Sequence, residues 1–254
     1  MPESGDSEGK YLYCVIQCEE EPRFTSLGMG ERGDVVHVIR EGDLAAVVSD
    51  TPIVRYEALR RNMMAHTAVI EEVMRDFTVL PVRYGTIAPD VETVRRKLLI
   101  ERRDELLGLL EGMNGRVELG LKAFWHEDTL FPEIVSTNPP IRALRDSLMG
   151  KSAEQTHFER MRLGEMVEAA IERKRKADAE RILSRVRPLI ESLELNSTFG
   201  DRMVLNAALL VRRDSEQAVD NAVQEIDAEL GDRLMFKYVG SVPPYNFVSL
   251  TVTW

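Results

Sequence analysis

Residues 193–213 read LELNSTFGDRMVLNAALLVRR, and how they fold decides the second half of the chain. Two apolar runs flank the turn pair Gly200-Asp201, so the stretch is expected to form a β-hairpin. Downstream, SEQAVDNAVQEIDAELG (215–231) places Ala218, Val219, Ala222, Val223, Ile226 and Leu230 at three- and four-residue steps. With Ser215 as N-cap and Gly231 as stop, that spacing predicts an amphipathic helix. LMFKYVG (234–240) then reads as a strand. Upstream, VELGLKAFW (117–125) is strand-like, FPEIVSTNPPI reads as a proline-rich connection, and about Ile141 to Arg187 is helical, with Pro188 expected to kink or restart it. Strand, helix, strand, strand, helix, strand over 117–240 is the split βαβ order of ferredoxin-like folds, its first crossover lengthened by extra helices.

The middle of that crossover, ERKRKADAER (172–181), is charged on all sides and reads as a solvated stretch. Phe158, Met161, Met166 and Ile171 before it, and Ile182, Val186 and Ile190 after it, are the residues expected to pack.

The first half opens with the polar residues 1–9, read as a disordered tail. YLYCVIQ (11–17) reads as a strand, and VVHVIR (35–40) and LAAVVSD (44–50) as a hairpin with Gly42 at the tight position. From Tyr56 to Asp76, Leu59, Met63, His66, Ile70 and Val73 recur at helical spacing and run on to Phe77; His66 is expected to be a core histidine bonded to a neighbour. FTVLPVRYGTI (77–87) then reads as a short strand turning at Gly85 into a helix that starts near Pro89 and runs to about Leu110. Asn114-Gly115 marks a boundary. The expected class is α+β in two domains, 10–114 and 115–254, the second a modified ferredoxin-like βαββαβ fold with a helical extension around 141–190.

After the last predicted strand, GSVPPYNFVSLTVTW (240–254) puts Pro243-Pro244 where ladder hydrogen bonds would be needed. The segment is expected to run extended and to cover an interdomain seam or meet a partner. Arg83, Tyr84, Pro243, Pro244 and Tyr245 are therefore the candidate contact residues. Arg83 is expected to be structural, in a buried charge-assisted hydrogen bond. The alternative is an enzyme or binding protein for a small anionic ligand held near Arg83 and the helix start at Pro89.

Formal net charge is −10, so the summed field repels phosphate backbones and nucleic acid is not the expected partner. The chain has no apolar run of membrane-spanning length, and its polar, acidic start is unlike a signal peptide, so a cytoplasmic protein without a lipid-membrane contact is expected. Cys14 and Cys18 fall on one side of a strand and are expected to be reduced, packed thiols. The four histidines are scattered without carboxylate or cysteine neighbours at ligand spacing. Neither a P-loop, a GxGxxG, a GxSxG nor an HExxH motif occurs, and the glycine-rich SLGMGERGD (26–34) lacks the lysine and following helix of a phosphate loop. No enzyme activity, cofactor or metal is expected.

YLYCVI, TVLPVRYGT, VELGLKAFW, LGEMVE (163–168), MVLNAALLV (203–211) and FKYVGSVPPYNFV (236–248) occur in an order and spacing that resemble the gas vesicle protein F/L family. The resemblance implies a cytosolic accessory or structural protein that takes part in gas vesicle assembly by binding the major shell protein, gas vesicle protein A, and other vesicle proteins. It implies two α+β domains and no catalytic residues. The family's tail typically reads Gly-Pro-Trp-Pro-Pro-Tyr, whereas GSVPPY (240–245) lacks the Trp.

Overall fold

The computed structural model of the chain describes residues 8–248 and 250–254. Of the tail expected at 1–9, residues 1–7 lie outside the described residues, and Glu8 and Gly9 already belong to the first strand. The chain divides into two compact units, one of residues 1–118 with 241–254 and the other of residues 119–240. Set against the expected division at 114/115, the last residues move from the second unit to the first.

The first unit is built on β1 (Glu8–Gln17). One side of it pairs antiparallel with β3 (Leu44–Pro52), which in turn pairs with β2 (His37–Glu41) across the Gly42 turn. Gly42 has φ +60°, a conformation that costs glycine least. The other side of β1 pairs with two short strands, β4 (Leu80–Pro81) and β5 (Ile87–Ala88). The register shifts between Leu12 and Cys14, a bulge at Tyr13 that inverts the side-chain alternation. As a consequence Tyr11 and Tyr13 before it, and Cys14, Ile16 and Cys18 after it, all join one core cluster. Both thiols are free and buried.

α1 (Arg60–Val73) packs on that cluster through Val69, Ile70 and Val73. The helical face is narrower than its periodicity predicts, because Leu59 is 44% and Met63 40% exposed. The helical stretch after Pro89 starts with α2 (Val91–Thr93), passes through a π-helical segment at Val94–Ile100 and ends as α3 (Arg103–Met113). Its buried residues, such as Leu98, Leu106 and Leu110, lie outside the α1 cluster. The sheet is therefore covered on both faces, which explains why β1 is buried along nearly its whole length.

In the second sheet, β6 (Arg116–Trp125), β7 (Ser192–Leu195), β8 (Met203–Arg212) and β9 (Leu234–Val242) lie in the order β7-β8-β6-β9. The β7–β8 hairpin is antiparallel, with Ser192 opposite Leu210 and Leu195 opposite Ala207. The chain is thus a mixed α/β protein with two antiparallel sheets.

The expected proline-rich connection is instead helical: α4 (Glu127–Thr137) contains Pro132, and α5 (Pro139–Leu148) opens on Pro139-Pro140, in the first turn where the missing N–H groups have no intrahelical acceptor. α6 (His157–Val186) ends where Pro188 forces a 3₁₀ turn. Phe158 and Met161, expected to pack, are 81% and 53% exposed. The charged run 172–181 has a buried side after all, because Asp178 is 8% exposed and accepts from the Trp125 indole at 2.8 Å.

α7 (Glu216–Leu230) buries Val219, Val223, Ile226 and Leu230 of the expected stripe, while Ala222 is half-buried and Ala218 exposed. Its ends differ from expectation. Ser215 Oγ donates to Asp214 rather than capping the helix, and Gly231 keeps a right-handed φ of −59°.

Candidate functional site

The sequence TVLPVRYGT places a tyrosine beside a glycine, and that glycine makes the site. Gly85, at φ +80°, turns the chain so that its N–H donates to the Tyr11 hydroxyl at 3.1 Å. Tyr11 OH also lies 3.1 Å from His66 Nδ1. Because the hydroxyl already accepts from Gly85, its own proton is best placed on Nδ1, which assigns the proton of the neutral imidazole to Nε2. His66 is 1% exposed, and its Nε2 has no hydrogen-bond partner among the described residues. Burial holds the imidazole pKa down at about 4.

Aromatic rings enclose that histidine. Tyr13 stacks on it with centroids 5.7 Å apart, while Tyr11 and Tyr84 meet it edge-on at 5.7 and 5.5 Å. Burial pushes the Tyr13 phenol up to about 12 against hydrogen bonds with Ser49 and the Met29 N–H.

The tail does not run extended as expected. Tyr245 N–H donates to Pro243 O at 2.7 Å and Val248 N–H to Pro244 O at 2.9 Å, so the two prolines initiate a tight turn. Their fixed φ suits a turn, and their missing donors are not needed in one. The turn is pinned by Glu118, whose carboxylate accepts from the Asn246 backbone at 2.9 Å and from its side chain at 2.5 Å. Burial raises the Glu118 pKa against those two bonds. Beyond the turn, Leu250 bridges to Val82 in parallel, and Arg83 N–H donates to Leu250 O at 3.2 Å. Val248 and Leu250 are buried.

Of the five candidate residues, the structure brings three together. Arg83, Tyr84 and Tyr245 line a cavity of about 260 Å³ with Met63, His66 and Val248. Pro243 and Pro244 are buried and shape the turn without lining the cavity. Tyr245 keeps 39% of its surface exposed, while its hydroxyl, bonded to Thr67, is withdrawn enough that its pKa rises to about 12. A larger, open groove of about 1090 Å³ shares Met63, Arg83 and Tyr84 and continues along Arg55, Tyr56 and the last residues to Trp254.

The structure corrects the expectation for Arg83. Its side chain is exposed and makes no hydrogen bond or ion pair among the described residues; only its backbone holds the junction. Arg83→Ala should then change stability by no more than about 0.5 kcal/mol, and a drop of melting temperature beyond that in a thermal scan would restore the buried contact.

The anionic-ligand reading also meets an obstacle. The Asp90 carboxylate caps the helix start by accepting from Thr93 N–H at 2.6 Å, putting a negative charge where an anion would dock. Among the described residues no group of three or more His, Cys, Asp or Glu is placed to hold a metal, and no helix is long and apolar enough to cross a membrane.

Compared with known proteins, residues 9–249 match the family described as gas vesicle synthesis protein GvpL/GvpF. The chain belongs to that family. Its GvpL/GvpF relatives include gas vesicle protein F of Dolichospermum flosaquae, 28% identical over 77% of this chain and 80% of the relative. Gas vesicle protein F of Microcystis aeruginosa is 30% identical over the same shares. The crystal structure of GvpF from Anabaena sp. PCC7120 superposes with a TM-score of 0.82 at 26% identity, over 97% of this chain and 100% of that one. This GvpL/GvpF member has a role in gas vesicles, and the family is one of structural and assembly proteins rather than a known enzyme family.

Glu118, Asn246 and the unpaired His66 nitrogen escaped sequence reasoning. The first left a trace: in VELGL a carboxylate stands in a run of inward-facing strand residues, and such a group must find donors. A single unpartnered ring nitrogen leaves none.

Proposed function

We propose that the protein acts in gas vesicle assembly by binding the major shell protein, gas vesicle protein A, together with other vesicle proteins, from the cytoplasm. The observation that carries this reading is the half-open apolar face around α1. Met63 is 40%, Met64 60%, Tyr245 39% and Trp254 41% exposed, and Met63, Tyr245 and Trp254 border the cavity or the groove. Exposed methionine and aromatic residues beside concavities suit an adaptable protein contact. Arg83, Tyr84 and Tyr245 are its contact residues, and Pro243 and Pro244 fix the turn that presents Tyr245.

The second unit is read as a modified ferredoxin-like domain with extra helices, a reading supported by the order β7-β8-β6-β9 with α7 between β8 and β9.

Co-expression tests the binding. A shell protein that is kept soluble and co-purifies should remain bound at about 1 M salt, where the Debye length is roughly 3 Å, because apolar burial is screened far less than exposed charge pairing. A complex that falls apart at modest salt is ionic and would sink the apolar-face reading. A shell protein equally soluble alone removes the need for this partner.

A further inference from the structure

The cavity beside the tyrosine-caged histidine has features the binding reading does not use. It is enclosed by Met63, Thr67, Tyr84, Tyr245 and Val248, with His66 at its wall. Apolar atoms dominate this lining, and polar groups are few. One is His66, 99% withdrawn from solvent, whose Nε2 carries a proton and donates to nothing among the described residues. A buried donor left without an acceptor is costly, and folded proteins seldom keep one without a use.

We infer that this cavity is an anchor pocket: it takes one apolar side chain of an extended partner segment, while His66 Nε2–H donates to a backbone carbonyl of that segment. The inference rests on the reading that this face binds a protein partner, and it specifies the chemistry of the contact.

Three observations favour a peptide over a small metabolite. At about 260 Å³ the cavity lies below the roughly 300–1,000 Å³ of ordinary small-molecule sites. A metabolite site also needs several convergent buried polar groups, and here His66 Nε2 is the one buried donor of the lining without a partner among the described residues, Arg83 standing exposed at the mouth. Finally, the cavity shares Met63, Arg83 and Tyr84 with the open 1090 Å³ groove, so a chain lying in the groove can drop one side chain into the pocket. The groove also sets the charge of the segment. Arg55 and Arg83 are exposed on it without a carboxylate partner among the described residues, against Glu57 as the acid of the lining. The fitting segment therefore carries an aliphatic or aromatic anchor with an acidic residue nearby. Anchor residues seated in desolvated pockets carry much of the energy of such contacts.

The probe is N-acetyl-leucine methylamide, which has the side chain and the carbonyl and nothing else, titrated into the full-length ¹⁵N-labelled protein. The His66 ring correlations should report Nε2 as the protonated nitrogen, and its resonance should move saturably together with the Gly85 amide. N-acetyl-glycine methylamide, lacking the anchor, should leave both in place. Met63→Trp narrows the mouth from a half-exposed helix position and should weaken the leucine probe roughly tenfold or more, with Thr67→Leu as a second, independent filler. A ring protonated at Nδ1, an unmoved Nε2 resonance, or equal binding to wild type and both filled variants would overturn the anchor pocket.

Co-purification of the shell protein separates this failure from that of the wider reading. If wild type and Met63→Trp retain the shell protein equally, the partner stands and the pocket is not its anchor. If the probe binds but wild type retains no shell protein, the pocket stands and the assigned partner is wrong.

Discussion

Asp178→Ala should cost the second unit about 3–5 kcal/mol, the range expected when one member of a buried charge network is removed. Asp178 accepts from Trp125 Nε1 at 2.8 Å and pairs with Lys174 at 3.1 Å and Arg233 at 3.4 Å. Glu133 holds the same two cations from the other side, at 2.7 and 3.1 Å. The network ties α6 to α4, to the end of β6 and to the start of β9. Without Asp178, the buried indole N–H loses its acceptor, and Lys174, only 14% exposed at its side chain, has a single carboxylate left. Arg233 contributes less, because at 33% exposure water screens its share. Asp178→Asn separates the two effects: it keeps an acceptor for the indole and discards the charge, so it should fall between wild type and alanine. Urea unfolding followed by tryptophan fluorescence measures both, and a loss below about 1 kcal/mol for the alanine variant would show that the network does not hold these elements together.

That network also marks where the sequence stops being legible. Periodicity reports which face of an element is buried, so α7, the β2–β3 hairpin and the strand at Arg116–Trp125 could be read directly from VDNAVQEI, VVHVIREGDLAAVV and VELGLKAFW. A run such as ERKRKADAER looks solvated because its charges are many. What decides otherwise is Trp125, far away in the chain, whose indole needs an acceptor. The expected connection before α5 failed for a related reason. Prolines were read as breakers, yet Pro139 and Pro140 stand in a first turn, where they break nothing. The tail was expected with the second domain, whereas it clusters with the first unit, where Val248 and Leu250 are buried and Leu250 pairs with Val82; local pattern carries no record of distant pairing. At the candidate site, Arg83 was expected to be buried because of its apolar neighbours: Leu80, Pro81 and Val82 are all buried, but β4 ends at Pro81 and the Arg83 side chain beyond it is exposed. Tyr84 and Tyr245, expected as contact residues, both line the cavity; His66 is the buried histidine bonded to a neighbour that its spacing predicts, but spacing gave no sign that its second nitrogen would lack a partner among the described residues.

Acid should unfold the first unit through that ring. His66 titrates at about 4 in the folded chain, held down by burial, against about 6.5 when unfolded. Between those values the unfolded chain binds the extra proton and the folded chain does not, so stability rises with pH across this window. The contribution is complete above about 6.5, is lost progressively as pH falls, and is gone near 4, amounting to about 3 kcal/mol over that span at 1.36 kcal/mol per unit. The rings facing His66 are the tyrosines Tyr11, Tyr13 and Tyr84, and none can neutralise an imidazolium. Protonation at Nδ1 also expels the Tyr11 hydroxyl proton from its acceptor, which loosens the hold on Gly85 and with it the wall of the cavity. Carboxyls held below their usual range also lose stability at the acid end of this window, but they are shared by any two proteins that differ only at position 66. Glu72 would be raised by burial, but hydrogen bonds from Ser26 and Thr25 more than offset that and leave it at about 2, so its own loss sets in only at the acid end of the window, as pH falls through the unfolded carboxyl value of about 4.3, and it is the same in wild type and a position-66 variant. Glu118, raised by burial, is common to any pair of proteins that differ only at position 66 and cancels in the comparison. His66→Phe keeps the ring volume, removes the proton site, and leaves Tyr11 its bond from Gly85. Urea midpoints of wild type and this variant should therefore diverge as pH falls from 7 to 4, the wild type losing about 3 kcal/mol more. Parallel loss in the two would mean that His66 accepts its proton without penalty, and that the tyrosine cage is wet rather than closed.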